Sequence, residues 1–212
     1  MTTTFSRTIG GRSVALACAT ARRPLAEDVL ATLARIARAD PLRAGMKVRF
    51  GWSILTLRED GGGLVVCEPD FAGDPLHELR PQVDTTLDVL ARQAALVRRV
   101  GATPVDAGFE QFVVVARGAL ESATLQLFRS PPERDHDSGW TISSPEQPGS
   151  AQDADAFDAL RVFTLLARRP VVLSALALPP GYAAIIDGDA ISAVFDADGR
   201  QRCELGCSAR PR

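Results

Sequence analysis

The chain has 212 residues, 46% of them hydrophobic and 24% charged, with a formal net charge of −2. That length buries a proper core in one large domain or two small ones, and the composition is that of an ordinary globular protein. The charge excludes a general nucleic-acid binder, which carries a strong basic excess.

Residues 12–19 predict a first strand. Its apolar run, Val14–Ala19, is too short and interrupted to span a membrane and lacks the order of a secretory signal, so the expected location is the cytoplasm. Pro24 opens a helix to about Ala39, with Val29, Leu33 and Ile36 on one face, and Pro41 ends it. From Met46 the pattern alternates through Val48, Phe50, Trp52 and Ile54, which predicts one long strand with a slip near Ser53. Gly61-Gly62-Gly63 turns the chain into a return strand, Leu64–Cys67. Glu68-Pro69-Asp70-Phe71 then reads as a rigid solvated turn anchored by Phe71. His77 falls in a polar loop and reads as a surface residue.

Pro81–Val100 is the clearest helix, with Val83, Leu87, Leu90, Ala94 and Val97 in one stripe and Arg98 and Arg99 at its carbonyl end. A domain boundary fits near Pro104. Gln111–Ala116 is a β-prone run, and Leu120–Phe128 holds another that leads through Arg129 to Pro131-Pro132. Ser150 and Asp153 suggest a helix start, and Phe157, Leu160, Phe163 and Leu166 supply a buried stripe up to Arg169-Pro170. In Val171–Leu178, period cannot separate helix from strand. Tyr182–Ile186 and Ala190–Phe195 form a hairpin through Asp187-Gly188-Asp189, and a polar tail follows from Asp196.

The order is β-α-β-β-α-β-β, a loop, then α-β-β. It predicts an α+β fold: mostly antiparallel sheet built from hairpins, three helices packed on it, and two halves that each set a hairpin near a long helix. The expected organisation is an N-terminal α+β region over 1–104, a second domain over 105–199 and a polar tail over 200–212. Residues 105–212 hold 10 Lys+Arg against 15 Asp+Glu, a net of −5, whereas residues 1–104 hold 14 against 11, a net of +3. The acids of the second half gather in loops, as a solvated face or as a surface for a basic partner.

Asp135-His136-Asp137-Ser138-Gly139-Trp140 concentrates the uncommon residues, with one of two histidines and one of two tryptophans. Asp, Ser and Gly are turn chemistry, and Trp140 brings a large apolar surface with one N–H that seeks a partner when buried. The expectation is a tight turn shaped by Ser138, Gly139 and Trp140 and pinned in the core by the indole. The stretch holds the residue types of a nucleophilic triad, but neighbours in one turn point apart and do not converge. Cys203 and Cys207 lack a second Cys/His pair to complete a metal site. No phosphate-cradling glycine loop or glycine-flanked nucleophile occurs elsewhere, so the residues imply no enzyme, no cofactor and no metal. A hydrolase would have to be built around Glu68, Asp70 or His136 and would need them in one cleft.

Residues from about 111 to 187 resemble the immunity protein 33-like domain family, an α+β domain of bacteria. The resemblance is carried by Leu125–Arg129 before Pro131-Pro132-Glu133, by Asp137-Ser138-Gly139-Trp140 with Ile142, and by an apolar helix leading to Arg169-Pro170-Val171, Leu176 and Leu178-Pro179-Pro180-Gly181-Tyr182. The family often follows its tryptophan with a Ser-Gly-acidic-Glu loop, where this chain reads Ser143-Ser144-Pro145-Glu146. The resemblance implies a non-enzymatic protein that neutralises a cognate toxin or effector by binding it. It needs complementary surface and no reactive group. On that reading Asp135, His136, Asp137 and Glu146 lie at the contact surface, and the partner presents a basic face. The other reading is a cytoplasmic α+β module that binds another protein or a small ligand, suggested by the large N-terminal region.

Overall fold

The structure, a computed structural model, describes residues 1–146 and 154–204. It divides into two compact units, Met1–Ala91 and Arg92–Arg212. The described residues form thirteen strands and three α-helices in two mixed, mostly antiparallel sheets, so the fold is α+β as its alternating hairpins and helices predict.

The first unit opens on a hairpin, β1 (Thr2–Ile9) and β2 (Arg12–Ala19), paired residue for residue. Gly10 and Gly11 close it with φ of 56° and 79°, backbone angles that cost glycine nothing. Sequence reading leaves β1 unassigned because its threonines mask the period, although Phe5 and Ile9 are both buried. Helix α1 (Arg23–Ile36) follows, then β3 (Lys47–Phe50), β4 (Ser53–Asp60), β5 (Gly63–Pro69) and β6 (Leu79–Arg80). The sheet order is β1-β2-β5-β4-β3, with β6 on β5, and β2 and β5 are its one parallel pair. The core gathers Val29, Leu30 and Leu33 of α1 with Leu16, Leu57 and Val66 of the sheet.

The long strand expected from Met46 through Ile54 is two strands. Phe50 pairs with Ser53, so Gly51 and Trp52 are the two-residue loop of a hairpin. Apolar alternation runs straight through that loop, because Trp52 turns inward and is fully buried. Gly51, at φ 59°, makes the bend, and a Cβ there would lie 2.2 Å from Leu90 Cδ2.

Helix α2 (Asp84–Val100) crosses from the first unit into the second. The second unit's sheet contains β7 (Phe112–Ala116), β8 (Thr124–Arg129), β9 (Asp137–Ser143), β10 (Phe157–Arg161), β11 (Ala183–Asp187), β12 (Ala190–Phe195) and β13 (Gln201–Glu204). Their order is β10-β7-β9-β8-β11-β12-β13, with β7 and β9 parallel and every other pair antiparallel.

One expectation is corrected here. The stripe Phe157, Leu160, Phe163, Leu166 is not one helix. Phe157–Arg161 pairs antiparallel with Phe112–Ala116, and Arg161 lies over the Phe112 ring at 4.3 Å, so ladder bonds and a cation–π contact hold it extended. Helix α3 (Leu165–Arg168) is a single turn after it, and the start expected at Ser150 and Asp153 lies outside the described residues. The polar tail expected from Asp196 carries one further strand. Asp196 Oδ1 accepts the N–H groups of Asp198 and Arg200, closing a turn that brings β13 back onto β12. Those hydrogen bonds hold the Asp196 carboxyl below its ordinary range. Cys207 lies outside the described residues.

Candidate functional site

The centre of the second unit is Arg129, the last residue of β8. Alternation places it on the same side as Leu125 and Leu127, facing the core, and it is 1% exposed. Its guanidinium donates to main-chain carbonyls: Nε to Ser138, Nη1 to Val105, Leu176 and Leu178, and Nη2 to Asp106. Four of these carbonyls belong to irregular segments that have no ladder to satisfy them, the fifth, that of Ser138, lies at the break in the β7–β9 ladder, and buried carbonyls require donors. A five-donor planar fork suits that task. Burial pushes the Arg129 pKa down to about 10, opposed by the charges of Asp106 and Asp137, so the side chain remains cationic at neutral pH.

The signature residues assemble around this cation. Trp140 is fully buried, its Nε1 donates to Leu176 O at 3.1 Å, and its ring lies 5.7 Å from the Arg129 guanidinium. Asp137-Ser138-Gly139-Trp140 is a kinked strand start and not a free-standing turn, which corrects the sequence expectation. Phe112 pairs with Asp137 but Val114 pairs with Thr141, so β9 takes four steps where β7 takes two. Gly139 supplies the kink at φ 75°, and a Cβ on it would stand 2.1 Å from Ser130 O. Ser138 Oγ donates to Phe112 O at 2.6 Å and accepts the Trp140 N–H, which bridges the break in the ladder.

The four expected contact residues do not share one place. Asp135 and His136 are exposed in the loop before β9, and the His136 ring meets Phe112 edge-on at 6.3 Å. Asp137 is half-buried, and its carboxylate accepts the N–H groups of Gly139 and Glu133, so it holds the kink together. Gln111 ties the loop down by donating to the carbonyls of Asp135 and Asp137. An open pocket of about 330 Å³ lies here, lined by Gln111, Pro132, Glu133, Arg134, Asp135 and Asp137. Glu146 is exposed beyond the far end of β9.

Glu68, read as part of a solvated turn, is 2% exposed. Its carboxylate accepts the N–H groups of Thr85 and Thr86 in the first turn of α2, two of the unpaired donors a helix start leaves. Burial raises its pKa and those hydrogen bonds oppose the rise. Phe71 does anchor the segment: it stacks on Trp52 at 4.8 Å, and Trp52 Nε1 donates to Thr86 O. Asp70 caps its own turn through the N–H of Ala72. Glu68 is thus committed to holding a helix in place. Among the described residues no group of three His, Cys, Asp or Glu side chains is placed to hold a metal, and no helix is long and apolar enough to cross a membrane.

Sequence reasoning quoted Arg129 only as the end of a strand. Its role was encoded in the alternation Leu125, Leu127, Arg129, which puts a charged residue on the apolar side of a strand.

Residues 92–197 match the family described as the Imm33-like domain. No curated protein and no solved structure matches the chain significantly.

Proposed function

This chain belongs to the Imm33-like domain family, and on that premise we propose that it is a non-catalytic immunity protein that binds and neutralises a cognate bacterial toxin or effector in the cytoplasm. The family match carries the reading. Two features of the second unit agree with it. Its most unusual buried group, Arg129, is engaged with main-chain carbonyls, and the exposed acids Glu133, Asp135 and Glu146 offer a field for a basic partner. Asp135, His136 and Glu146 are the proposed contact residues, with Asp137 shaping the loop that presents the first two. Residues 1–104 are proposed as an added region without an assigned role.

Co-expression with the product of the neighbouring gene tests the proposal. A complex that survives purification, with growth restored in cells making that product, is the expected result. If the product is toxic and this chain neither binds it nor restores growth, the immunity reading is wrong.

A further inference from the structure

Resting on the immunity reading, we infer that the outward face of the second unit's sheet is the docking surface, and that it takes a protein presenting an apolar protrusion set among basic side chains. In β8 the residues opposite to Leu125, Leu127 and Arg129 are Gln126 and Phe128, and Phe128 is 50% exposed. The strand register carries that row across five strands. Val114 stands beside Thr141, Thr141 beside Phe128, Phe128 beside Ala183, and Ala183 beside Phe195. The next row holds Ser143, Gln126 and Ile185. A shallow groove of about 300 Å³ runs between them, lined by Phe128, Thr141, Ile185 and Phe195 among others.

No charged side chain stands among these named positions, on the side of an antiparallel sheet that is polar when it faces water alone. Four inter-strand spacings of about 4.8 Å make the strip roughly 19 Å wide, which gives a few hundred Å² of apolar surface. That suffices for the core of an interface. It falls short of the roughly 800 Å² per partner of a stable complex, so the rim must join in.

Acids stand at both ends of the rim. Asp187 is the next outward residue of β11 after Ile185, and hydrogen bonds from Ser192 and Thr124 hold its carboxyl below the usual range. Glu146 lies past the end of β9 on that same side, and Glu133 and Asp135 precede β9 at the other. Of the edge cations, Arg161 lies over the Phe112 ring, Arg117 pairs with Asp158 and Arg169 donates to the carbonyls of Ala123 and Gly188, while the exposed Arg134 stands between Glu133 and Asp135, so that acids outnumber free cations along the rim. A second copy of this chain would bring acids against acids, whereas a partner with lysines and arginines around an apolar tip meets both demands.

The test uses the purified product of the neighbouring gene, with the whole chain carrying Phe128→Thr and Ile185→Thr, or Asp187→Lys and Glu146→Lys. Phe128, Ile185 and Asp187 stand on the outward face and Glu146 is exposed, and unchanged urea midpoints confirm that the variants fold. The threonine pair is expected to weaken binding tenfold or more through faster dissociation. The lysine pair is expected to slow association and flatten its salt dependence. Wild-type binding that the threonine pair leaves within twofold overturns the docking face while the immunity reading stands. A wild-type chain that does not bind the product at all removes that reading, and this inference with it. A homodimer that the threonine pair converts to monomer makes a second copy the occupant and equally overturns the inference.

Discussion

Replacing Arg129 with methionine removes the guanidinium while filling most of its volume, and the cost follows from its five hydrogen bonds. Leu176 O retains the indole N–H of Trp140. The bonds to Val105 O and Asp106 O are only part-buried, so water can replace the guanidinium there. The carbonyls of Ser138 and Leu178 are buried and lose a charged donor at 3.1 and 2.6 Å. An orphaned buried acceptor costs about 1–3 kcal/mol, so two cost about 2–6 kcal/mol. Relief from burying a cation offsets part of that, leaving an expected loss of about 3 kcal/mol, a large share of the roughly 5–15 kcal/mol that holds a domain folded. The chain provides its own assay, since its two tryptophans fall one in each unit, Trp52 and Trp140. In a Trp52→Phe background, fluorescence follows the second unit alone. At a typical urea dependence the Arg129→Met midpoint should fall by roughly 1–2 M. Arg129→Lys keeps the charge with fewer donors and should fall between. An Arg129→Met midpoint within about 0.3 M of its parent would show that the carbonyls find other donors, and the account of this centre would be wrong.

Gly139→Ala forces a side chain into a left-handed conformation against Ser130 O. It should cost about 2–4 kcal/mol in the same fluorescence assay, and a change below about 0.5 kcal/mol would deny the kink its role. Glu68→Gln leaves an amide group facing one of two backbone donors and should destabilise the first unit by about 1–3 kcal/mol, read from Trp52 in a Trp140→Phe background. Because burial raises the Glu68 pKa from 4.5, the folded state holds its proton more tightly than the unfolded chain. The lead of wild type over Glu68→Gln should therefore widen as pH falls from neutral toward 4.5, and a gap that narrows reverses the sign of the argument. Asp135→Asn and Glu146→Gln, both at exposed positions, should move the urea midpoint of the second unit by no more than about 0.5 kcal/mol equivalent, which separates a contact role from a folding role.

What could be read from sequence follows period and glycine. α1, α2 and the β11–β12 hairpin were legible because an apolar stripe or an Asp-Gly turn marks each one. The reading failed where one pattern served two geometries. Trp52 keeps the alternation of β3 and β4 unbroken across a turn, and the spacing of Phe157, Leu160 and Phe163 imitates a helix in a segment held by pairing with β7. Glu68-Pro69-Asp70 looked solvated because no local signal announces that a carboxylate will meet the start of a helix sixteen residues on. For the site, the loop carrying Asp135 and His136 was visible, whereas the outward row from Val114 to Phe195 was not. Its members are scattered over five strands, and only the register brings them together.

The residues that carry the family resemblance turn out to be one connected structure. Arg129 exchanges main-chain hydrogen bonds with Gly181 and Tyr182, its side chain holds Leu176 and Leu178, and Trp140 meets it through the shared Leu176 carbonyl. Gly181, at φ 87°, leaves no room for a Cβ beside Ala197. A signature made of such groups specifies how the sheet is locked to the segments behind it, and that constraint holds whatever the protein binds. Partner choice must then reside in positions the lock leaves free, which are the outward residues of the same strands and the loops at their ends. Two members of the family could share every residue of the lock and still bind different partners, because Phe128 can change without disturbing Leu127 or Arg129 on the other side of its strand.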